Sequence, residues 1–452
     1  MFYTPEKFVE ILLQKAETYG FLQSEALFGD GRSTEIQVLK GDVSQYESSA
    51  QLGLSFRGLY EGQMGYAYTE ALDEDGLSFL LEQAKQNAEI LEVDAEESIY
   101  GGEKEYRKIN NYTPELDQID YQELVEMTLA LEKSILSFDE RIVAVDYCVA
   151  SASSGKELIQ NTLGMKLKDQ SNMLFFYASA RCQLDEQVKT ASGYWYGREK
   201  VAFDPAKLAT EIAKKALGKL GSKSMPSGKY EVLLSKEVVC DILDAFAGIF
   251  SADAVQKGFS LLGDKINTMI ACKNITLRDD AIVQGSITQT AFDSEGVSTK
   301  NLALIENGIL KGLLHNRKTA QKAGTDSTGN GFRGYKGSLS VGTKNFYLTA
   351  GDSSFDEMLT EINNGIYITE VSGLHAGTNF VSGDFSLLGE GFLIENGKLT
   401  RPVEQITIAD NFYGMLKKVE KIGDTLLFQA PSGAGSTGAP DLYVSDISIS
   451  GE

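Results

Sequence analysis

Two long, glycine-punctuated stretches of alternating apolar and polar residues constrain the fold of this chain most strongly. They cover about residues 35–70 and 141–197. Such alternation places every second side chain on one face of a strand, and turn residues separate successive strands. The first stretch therefore predicts a β-meander, and the second predicts four or five further strands. Strands joined by such short turns pair in antiparallel fashion.

Helical periodicity interrupts these strand-rich stretches. Apolar residues recur three and four positions apart, and capping residues precede some of these runs, as at Thr4-Pro5 and Asp204-Pro205. Residues 93–118 are polar and acidic and are expected to form a long connection. The predicted helices are 5–19, 73–91, 121–136, 205–217, 237–250 and 354–364.

The segment GSKSMPSGK at 221–229 has the composition of a linker. It divides the chain into two predicted domains, 1–221 and 229–452. The predicted class is α+β. The N-terminal domain combines helices with an antiparallel sheet, and antiparallel strands in a closed, barrel-like or strongly curved sheet are expected to dominate the C-terminal domain.

Two copies of Leu-Ile-Glu-Asn-Gly indicate hairpin turns in the C-terminal domain. Asn307-Gly308 and Asn396-Gly397 each separate two apolar runs. Asn-Gly suits a type I′ turn, because both central residues of that turn require positive φ. The two turns are expected to belong to one large antiparallel system.

The charge balance argues against several classes of partner. Lys and Arg number 42 and Asp and Glu number 64, which gives a net charge of −22. A chain this acidic, without an evident basic patch, is unsuited to nucleic acid and to anionic membranes. No run approaches the roughly 20 apolar residues of a membrane-spanning helix, and the N-terminus lacks signal-peptide features. We therefore expect a cytoplasmic protein with no nucleic-acid or membrane partner.

Histidine is scarce, which limits metal chemistry. His315 and His375 are the two histidines, and the four cysteines form no C-x-x-C pair. The sequence also lacks an H-E-x-x-H motif, a G-x-S-x-G motif and a phosphate-binding G-x-x-x-x-G-K-[ST] motif. A self-contained, histidine-rich metal site is therefore excluded, whereas a carboxylate-rich Mg²⁺ or Ca²⁺ site stays open.

A series of phrases in the second half of the chain identifies a family. They are FDSEGVSTK at 292–300, LIENGILKGLL at 304–314, STGNG at 327–331, NNGIYITEVSGLHAG at 363–377, NFVSGDFSL at 379–387 and GFLIENGKLTRPVEQITIADNF at 391–412. In this order and spacing they resemble the TldD/PmbA family, once called modulators of DNA gyrase. The resemblance covers essentially the whole chain.

The resemblance implies a two-domain cytoplasmic protein that works within a heterodimeric metalloprotease. In that family the TldD-type subunit carries zinc on an H-E-x-x-x-H helix and a C-terminal cysteine. The PmbA-type subunit, also called TldE, lacks these ligands. The complex degrades unfolded or leader peptides. A TldD-type zinc subunit is therefore the implied partner, and an unfolded peptide is the implied substrate.

The chain is similar to the PmbA-type branch at both zinc-binding positions. The zinc helix should fall at about 236–251, where KEVVCDILDAFAGIFS has no histidine. The cysteine should fall near 431–440, where PSGAGSTGAP has none. The other possible ligands on the helix are Glu237, Cys240, Asp241 and Asp244. Because a zinc site needs three protein ligands, this chain is expected to hold no zinc and not to hydrolyse peptides alone.

A glycine-flanked loop carries candidate contacts to peptide or partner. His375 lies in GLHAGTN, where an imidazole suits peptide contact or proton transfer; a structural hydrogen bond and metal ligation stay open. Asp384 and Ser386 share one face of a strand, so a Ser/His/Asp arrangement is conceivable, although no nucleophile elbow accompanies it. Asp384 bracing a turn is the alternative. The candidates in this segment are His375, Asn379, Ser382, Asp384 and Ser386.

Two other segments carry charged candidates for peptide or partner contact. Asp293 and Glu295 would share one face if extended, and paired carboxylates can bind a metal or protonate a leaving group. A turn role is the alternative. Arg333 lies in a loop that is expected to be mobile and could clamp a substrate carboxylate. No residue of the chain is assigned a catalytic role.

Three functions therefore stay open. The first is a PmbA/TldE-type subunit that completes a proteolytic chamber and binds peptide, for which an exposed strand edge offers main-chain hydrogen bonds. The second is a free-standing peptide-binding or regulatory homo-oligomer, such as a homodimer, with no protease role. The third is an independent hydrolase that uses His375 and acidic residues.

Overall fold

A computed structural model describes residues 3–91, 97–432 and 435–452. In the first half of the chain the elements are α1 (Pro5–Thr18), β1 (Gln23–Leu39), β2 (Asp42–Tyr60), β3 (Gln63–Thr69), α2 (Glu74–Glu89), a 3₁₀ turn (Pro114–Gln118), α3 (Tyr121–Leu136), β4 (Ile142–Asn161), β5 (Lys166–Leu184), β6 (Gln187–Gly197), a 3₁₀ turn (Lys200–Ala202) and α4 (Pro205–Gly218).

These strands form one antiparallel sheet in the order β3-β2-β1-β4-β5-β6, which curls into a half-barrel. The predicted meander is confirmed, but its first strand begins at Gln23, twelve residues before the predicted start. The prediction of four or five strands over 141–197 is wrong, because three long strands cover that stretch. The β4–β5 pairing continues without a break through Gly155 opposite Ser171.

The predicted helices cover this sheet. Thr4 caps α1 by accepting a hydrogen bond from the Lys7 amide, and Asp204 caps α4 in the same way. Two apolar cores result, one between α1, α2 and the sheet and one between α3, α4 and the sheet. Within the described residues, no helix is both long enough and apolar enough to cross a membrane.

In the second half the elements are β7 (Gly228–Leu234), α5 (Lys236–Phe246), a 3₁₀ turn (Ala247–Phe250), α6 (Ala252–Gln256), β8 (Leu277–Asp280), β9 (Asn301–Glu306), β10 (Ile309–Leu310), α7 (Arg317–Ala323), β11 (Gly331–Phe332), β12 (Ser340–Val341), β13 (Asn345–Leu348), α8 (Phe355–Ile362), β14 (Asn364–Ser372), α9 (Leu374–Gly377), β15 (Asp384–Glu395), β16 (Lys398–Asn411), α10 (Phe412–Met415), β17 (Val419–Ile422), β18 (Leu427–Phe428), β19 (Ser436–Ala439) and β20 (Leu442–Ser450).

Five of these strands close into a barrel, as predicted. The order is β16-β15-β14-β7-β20, and β16 also pairs with β20 to complete the ring. Residues of the barrel strands and α5 share one large apolar core. Together with the helices and the half-barrel sheet, this confirms the α+β class.

Both Asn-Gly turns are hairpins, but they do not belong to one sheet. The φ angles of Asn307 and Gly308 are 49° and 78°, and those of Asn396 and Gly397 are 52° and 72°. The first turn joins β9 to β10 in a sheet of order β10-β9-β8-β13-β19-β18, whereas the second joins β15 to β16 in the barrel. A local turn motif determines a hairpin but not which sheet the hairpin joins.

The predicted linker at 221–229 and the predicted connection at 93–118 both pair with strands through their backbones, which free loops do not do. Lys223 exchanges backbone hydrogen bonds with the β16 strand, and Met225 is buried. The connection at 93–118 begins outside the described residues, at 93–96. Farther along, the Asn111 backbone pairs with Ser171 of β5. The division into domains at 221–229 stays a prediction.

Candidate functional site

Helix α5 lies where the resemblance places the zinc ligands. Ser235 caps it by accepting a hydrogen bond from the Val238 amide. Its apolar side, which includes Val239, Leu243 and Phe246, is buried in the barrel core. The remaining side carries acidic residues and faces β6 of the first sheet. Burial raises the pKa of Tyr194 in β6 to about 12, and neighbouring α5 side chains raise it by a smaller amount.

Two acidic side chains of α5 are engaged by neighbouring elements. Asp241 accepts a hydrogen bond from the Gln429 side chain at 2.7 Å, and Asp244 accepts one from the Thr437 hydroxyl at 3.0 Å. Cys240 is fully buried, and burial raises the pKa of its thiol, so it is not a ready thiolate ligand. Among the described residues, no three His, Cys, Asp or Glu side chains are placed to hold a metal ion. This donor set does not fit a zinc ion.

A buried ionic network joins the first sheet to the second half of the chain. Glu25 of β1 accepts hydrogen bonds through one carboxylate oxygen from Arg57 Nε at 2.9 Å and from Arg333 Nη2 at 2.7 Å. Arg57 also lies 3.4 Å from the Glu295 carboxylate, which in turn accepts a hydrogen bond from the Arg317 amide. We call Glu25, Arg57, Asp293, Glu295 and Arg333 the junction network; each is at most 4% exposed.

Asp293 organises a turn within the junction network. Its Oδ1 accepts hydrogen bonds from the Glu295 and Val297 amides, and its Oδ2 accepts one from the Gly331 amide at 2.7 Å. Burial, and then the Glu295 carboxylate, raise the pKa of Asp293 to about 6. The turn alternative is therefore confirmed, and the extended arrangement with both carboxylates on one strand face is wrong.

The position of Arg333 also differs from the expectation of a mobile, substrate-clamping loop. Its guanidinium is fully enclosed, with Nη2 on Glu25 and Nε on the Ser294 carbonyl oxygen. Nearby, Tyr335 lies so close to β2 that a Cβ added to Gly53 would be 2.1 Å from its ring. This segment therefore packs tightly against the first sheet.

Two cavities flank the junction network. The first has a volume of about 580 Å³ and is bordered by Arg57, Glu295 and residues of α7. The second has a volume of about 460 Å³ and is bordered by Asp293, Arg333 and the face of β4 and β5. Both lie between the first sheet and the second half of the chain, and small-ligand sites commonly occur between two packed parts of a fold.

The other predicted group of residues forms an exposed segment beside α5. His375 lies on the one-turn helix α9 and is exposed. Asn379 accepts hydrogen bonds from the Val381 and Ser382 amides. Phe380 packs so closely on Gly248, directly after α5, that an added Cβ would lie 2.7 Å from its ring. The segment therefore borders the helix at which the resemblance places the zinc ligands.

Asp384 has local partners in this segment. It accepts hydrogen bonds from the Ser382 hydroxyl at 2.7 Å and from the Asn411 amide group at 2.8 Å, and these bonds, that from Asn411 first, lower its pKa. Asp384 therefore braces a turn, and Ser386 is an exposed residue of β15. Within the described part of the chain, no hydrogen bond joins His375 to Asp384 or Ser386, so a Ser/His/Asp arrangement is not assembled.

Sequence reasoning missed Glu25 and Arg57, the two members of the junction network on the first sheet. Arg57 stands in the alternating segment LSFRGLY, whereas Glu25 directly precedes the apolar run of SEALFG. A charged residue in an alternating strand normally marks the solvent side. The chain neighbours of Arg57 lie on the opposite face of the strand, so no local signal in the sequence indicated its burial.

Comparisons with known proteins agree with the resemblance. Three family models match in succession: PmbA/TldA metallopeptidase domain 1 at 24–88, the central domain at 114–220 and the C-terminal domain at 227–451. A Methanocaldococcus jannaschii protein named a metalloprotease is 27% identical over 87% of this chain and 87% of its own length. A metalloprotease PmbA homologue from Haemophilus influenzae is 26% identical, over 90% of this chain and 88% of its own.

Solved structures are similar over nearly the full length. A putative modulator of a DNA gyrase from Thermotoga maritima has a TM-score of 0.90 and 31% identity, and the match covers 99% of this chain and 100% of the other. TldE from Thermococcus kodakarensis has a TM-score of 0.89 at 21% identity, covering 98% and 100%, and this likeness shows the fold alone. The chain belongs to the PmbA/TldD metallopeptidase family.

Proposed function

We propose that this chain is a TldE-like, non-catalytic subunit of a cytoplasmic metalloprotease, paired with a zinc-bearing TldD-type subunit. The observation that carries the proposal is the state of α5. Its acids Asp241 and Asp244 are hydrogen-bonded to Gln429 and Thr437, its cysteine is buried, and it has no histidine. A hydrolytic zinc site needs three ligands and an open position, which this helix does not provide.

The role left to such a subunit is to bind peptide and to complete the chamber of its partner. The exposed segment from His375 to Ser386 borders α5 and is available for contact with a partner or a peptide. Its hydrogen bonds are local, so they hold the segment in shape without occupying His375 or Ser386. Zinc belongs to the partner in this proposal, and the substrates are unfolded or leader peptides.

A free strand edge supports the binding of extended peptides. In β2, residues 42–52 pair with β1 on one side, whereas the pairing with β3 begins only at Leu54. Residues 42–51 are exposed, and the segment contains no proline or lysine to block strand addition. Main-chain pairing at such an edge favours unfolded substrates over particular sequences, because a folded substrate offers no free strand.

Peptide backbones with N-methyl groups at alternate positions test this mode of binding. They cannot donate the hydrogen bonds that strand addition requires, so their affinity for the chain should fall by about tenfold or more relative to the unmodified peptide. Equal affinity of both peptides, measured by fluorescence anisotropy, would contradict binding at the strand edge.

Reconstitution with a partner tests the subunit assignment. The chain, a TldD-type protein from the same genome and their equimolar mixture are each incubated with a fluorogenic unfolded peptide. We expect the mixture to cleave faster than the partner alone, and the chain alone not to cleave. Chelator-resistant cleavage by the chain alone would favour the independent hydrolase. A stable homo-oligomer that leaves the partner's rate unchanged would favour the free-standing peptide-binding protein.

A further inference from the structure

The second cavity contains charged groups that the proposed function does not use. Glu157 of β4 and Asp169 of β5 border one side of it, and Asp293, Arg333 and Lys344 border the other. Its volume of about 460 Å³ is within the range of small-ligand sites. Arg333 and Asp293 belong to the junction network, but Glu157, Asp169 and Lys344 have no role in it.

The Lys344 ammonium group and one nitrogen of Arg333, Nη1, supply positively charged donors without an acceptor among the residues that the structure describes. Lys344 is 4% exposed, and its backbone amide donates to Asp279 at 2.7 Å. Its ammonium group makes no hydrogen bond and no ion pair within the described residues. Arg333 Nη1 is also buried and has no partner. A buried charged donor without an acceptor, such as Arg333 Nη1, is costly. Lys344 brings a second cation to the same cavity, so the two groups together indicate a missing anionic oxygen.

Glu157 and Asp169 supply carboxylates without a direct ion pair in the described part of the chain. Lys344 and Arg333 nevertheless act on Glu157, and Arg198 acts on Asp169, over longer distances. The two residues stand directly opposite each other in the antiparallel β4–β5 pair, so their side chains leave the same face of the sheet at close range. Like charges at such a position are unfavourable. Neither carboxylate lies in an ion pair within the described residues, and burial, followed by Asp169, raises the pKa of Glu157 to about 7.

We propose that this cavity binds a small zwitterion, a dipeptide with free termini. The carboxylate of the ligand lies against Lys344 and Arg333 Nη1, and its ammonium group lies between Glu157 and Asp169. Such a ligand is neutral overall and satisfies unpaired groups of both signs at once. A simple anion would leave the two carboxylates facing each other, and a simple cation would leave Lys344 without an acceptor.

The ligand class goes beyond the proposed role in proteolysis, because the site lies within this chain and needs no partner. Met173, Phe292 and Phe332 also border the cavity and offer apolar surface to small ligand side chains. A short peptide released by proteolysis has both required termini. An internal segment of a long peptide has neither, so the cavity distinguishes end products from substrates.

Isothermal titration of the chain alone with three related ligands tests the inference. Ala-Ala carries both charges, N-acetyl-Ala-Ala has only the carboxylate, and Ala-Ala amide has only the ammonium group. At neutral pH we expect Ala-Ala to bind and each blocked form to bind about tenfold or more weakly. Equal binding of all three, binding of the acetylated form as well as Ala-Ala, or no binding at millimolar concentration would overturn the proposal.

Two variants assign the two ends of the ligand. Lys344→Met should remove the preference for Ala-Ala over its amide, and Glu157→Gln should remove the preference over the acetylated form. Lys300→Met is the matched control, because Lys300 borders the other cavity and its ammonium donates to the Ser327 carbonyl oxygen. Circular dichroism verifies that each variant is folded. A loss of discrimination in the Lys300 variant, or none in the other two, would contradict the assigned orientation.

These measurements are independent of the metalloprotease assignment, because they require neither a partner nor proteolysis. A chain that binds dipeptides but does not stimulate a TldD-type subunit would refute the proposed function and leave the ligand site standing. A chain that stimulates a TldD-type subunit but does not bind dipeptides would support the proposed function and refute the ligand site.

Discussion

The junction network and the exposed segment from His375 to Ser386 both consist of residues that suggest chemistry, yet their surroundings are opposite. In the junction network, charged side chains from positions as far apart as Glu25 and Arg333 meet in the interior. In the exposed segment, Asp384 is bonded to Ser382 and Asn411 at the surface. Buried charges that pair with one another join distant parts of the chain, whereas exposed residues such as His375 remain available to other molecules.

The largest loss of stability is expected from a substitution at Glu25, whose carboxylate binds both Arg57 and Arg333. Glu25→Gln keeps the size of the side chain but leaves two buried guanidinium groups without their common carboxylate. We expect the free energy of unfolding to fall by about 3 to 5 kcal/mol, the usual cost of breaking a buried ion pair on one side. Urea denaturation followed by circular dichroism measures this loss.

A surface ion pair provides the matched control for Glu25→Gln. Lys336 pairs with Glu70 where both side chains are more than half exposed, so Glu70→Gln should leave the denaturation midpoint unchanged within error. If the two variants gave the same small change, the junction network would not hold the first sheet to the second half.

A smaller change in stability, which depends on pH, is expected from a substitution at Glu157. Its pKa of about 7 in the folded state lies above the usual value for a glutamate, so the folded chain holds a proton that the unfolded chain releases. This carboxyl group therefore lowers stability as pH rises from about 4 to 7. Glu157→Gln should stabilise the chain by about 1 to 2 kcal/mol at pH 8 and by little at pH 4.

The pH dependence should be reduced in the Glu157 variant but not abolished. Burial also raises the pKa values of Asp279 and Asp293 to about 6, and these residues contribute a slope of the same sign. Melting temperatures of the unmodified chain and of the Glu157→Gln variant, measured between about pH 4 and pH 8, test this prediction. A variant that lost stability at pH 8 would show that the Glu157 carboxylate is compensated in the folded chain.

The smallest effect on stability is expected at His375. It is exposed and makes no side-chain hydrogen bond among the described residues, so His375→Ala should not change the denaturation midpoint. If the exposed segment contacts peptide or partner, the same variant should lower peptide cleavage by the reconstituted mixture several-fold. Ser353→Ala, which lies outside the exposed segment, is the control. Unchanged cleavage in the His375 variant would remove this residue from the proposed surface.

Local elements of the fold were predictable from the sequence. Helix α3 runs from Tyr121 to Leu136 as predicted, because periodicity and the Asp120 cap act within the segment. The two Asn-Gly hairpins follow from the positive φ that their turns require. Long-range pairing was not predictable. The match of β1 with β4, or of β7 with β14 and β20, depends on how distant segments pack.

The candidate site was predictable only in part. The resemblance located α5, and the residue types drew attention to Asp293, Glu295 and Arg333. Their burial could not be read from the sequence, because nothing local distinguishes an inward charge from an outward one. The partner of Arg333, Glu25, lies 308 positions earlier in the chain, and the partner of Glu295, Arg57, lies 238 positions earlier. The same holds for Glu157 and Asp169, whose facing positions depend on the β4–β5 register.

In the proposed function, this chain contributes no zinc site of its own to the metalloprotease. Elemental analysis of the chain, purified without a metal-affinity tag, gives the amount of zinc per chain. We expect a value near zero, with zinc found only in a TldD-type partner. A value near one that survives dialysis would contradict it and would require ligands among Cys240, His375 and the acidic residues of α5.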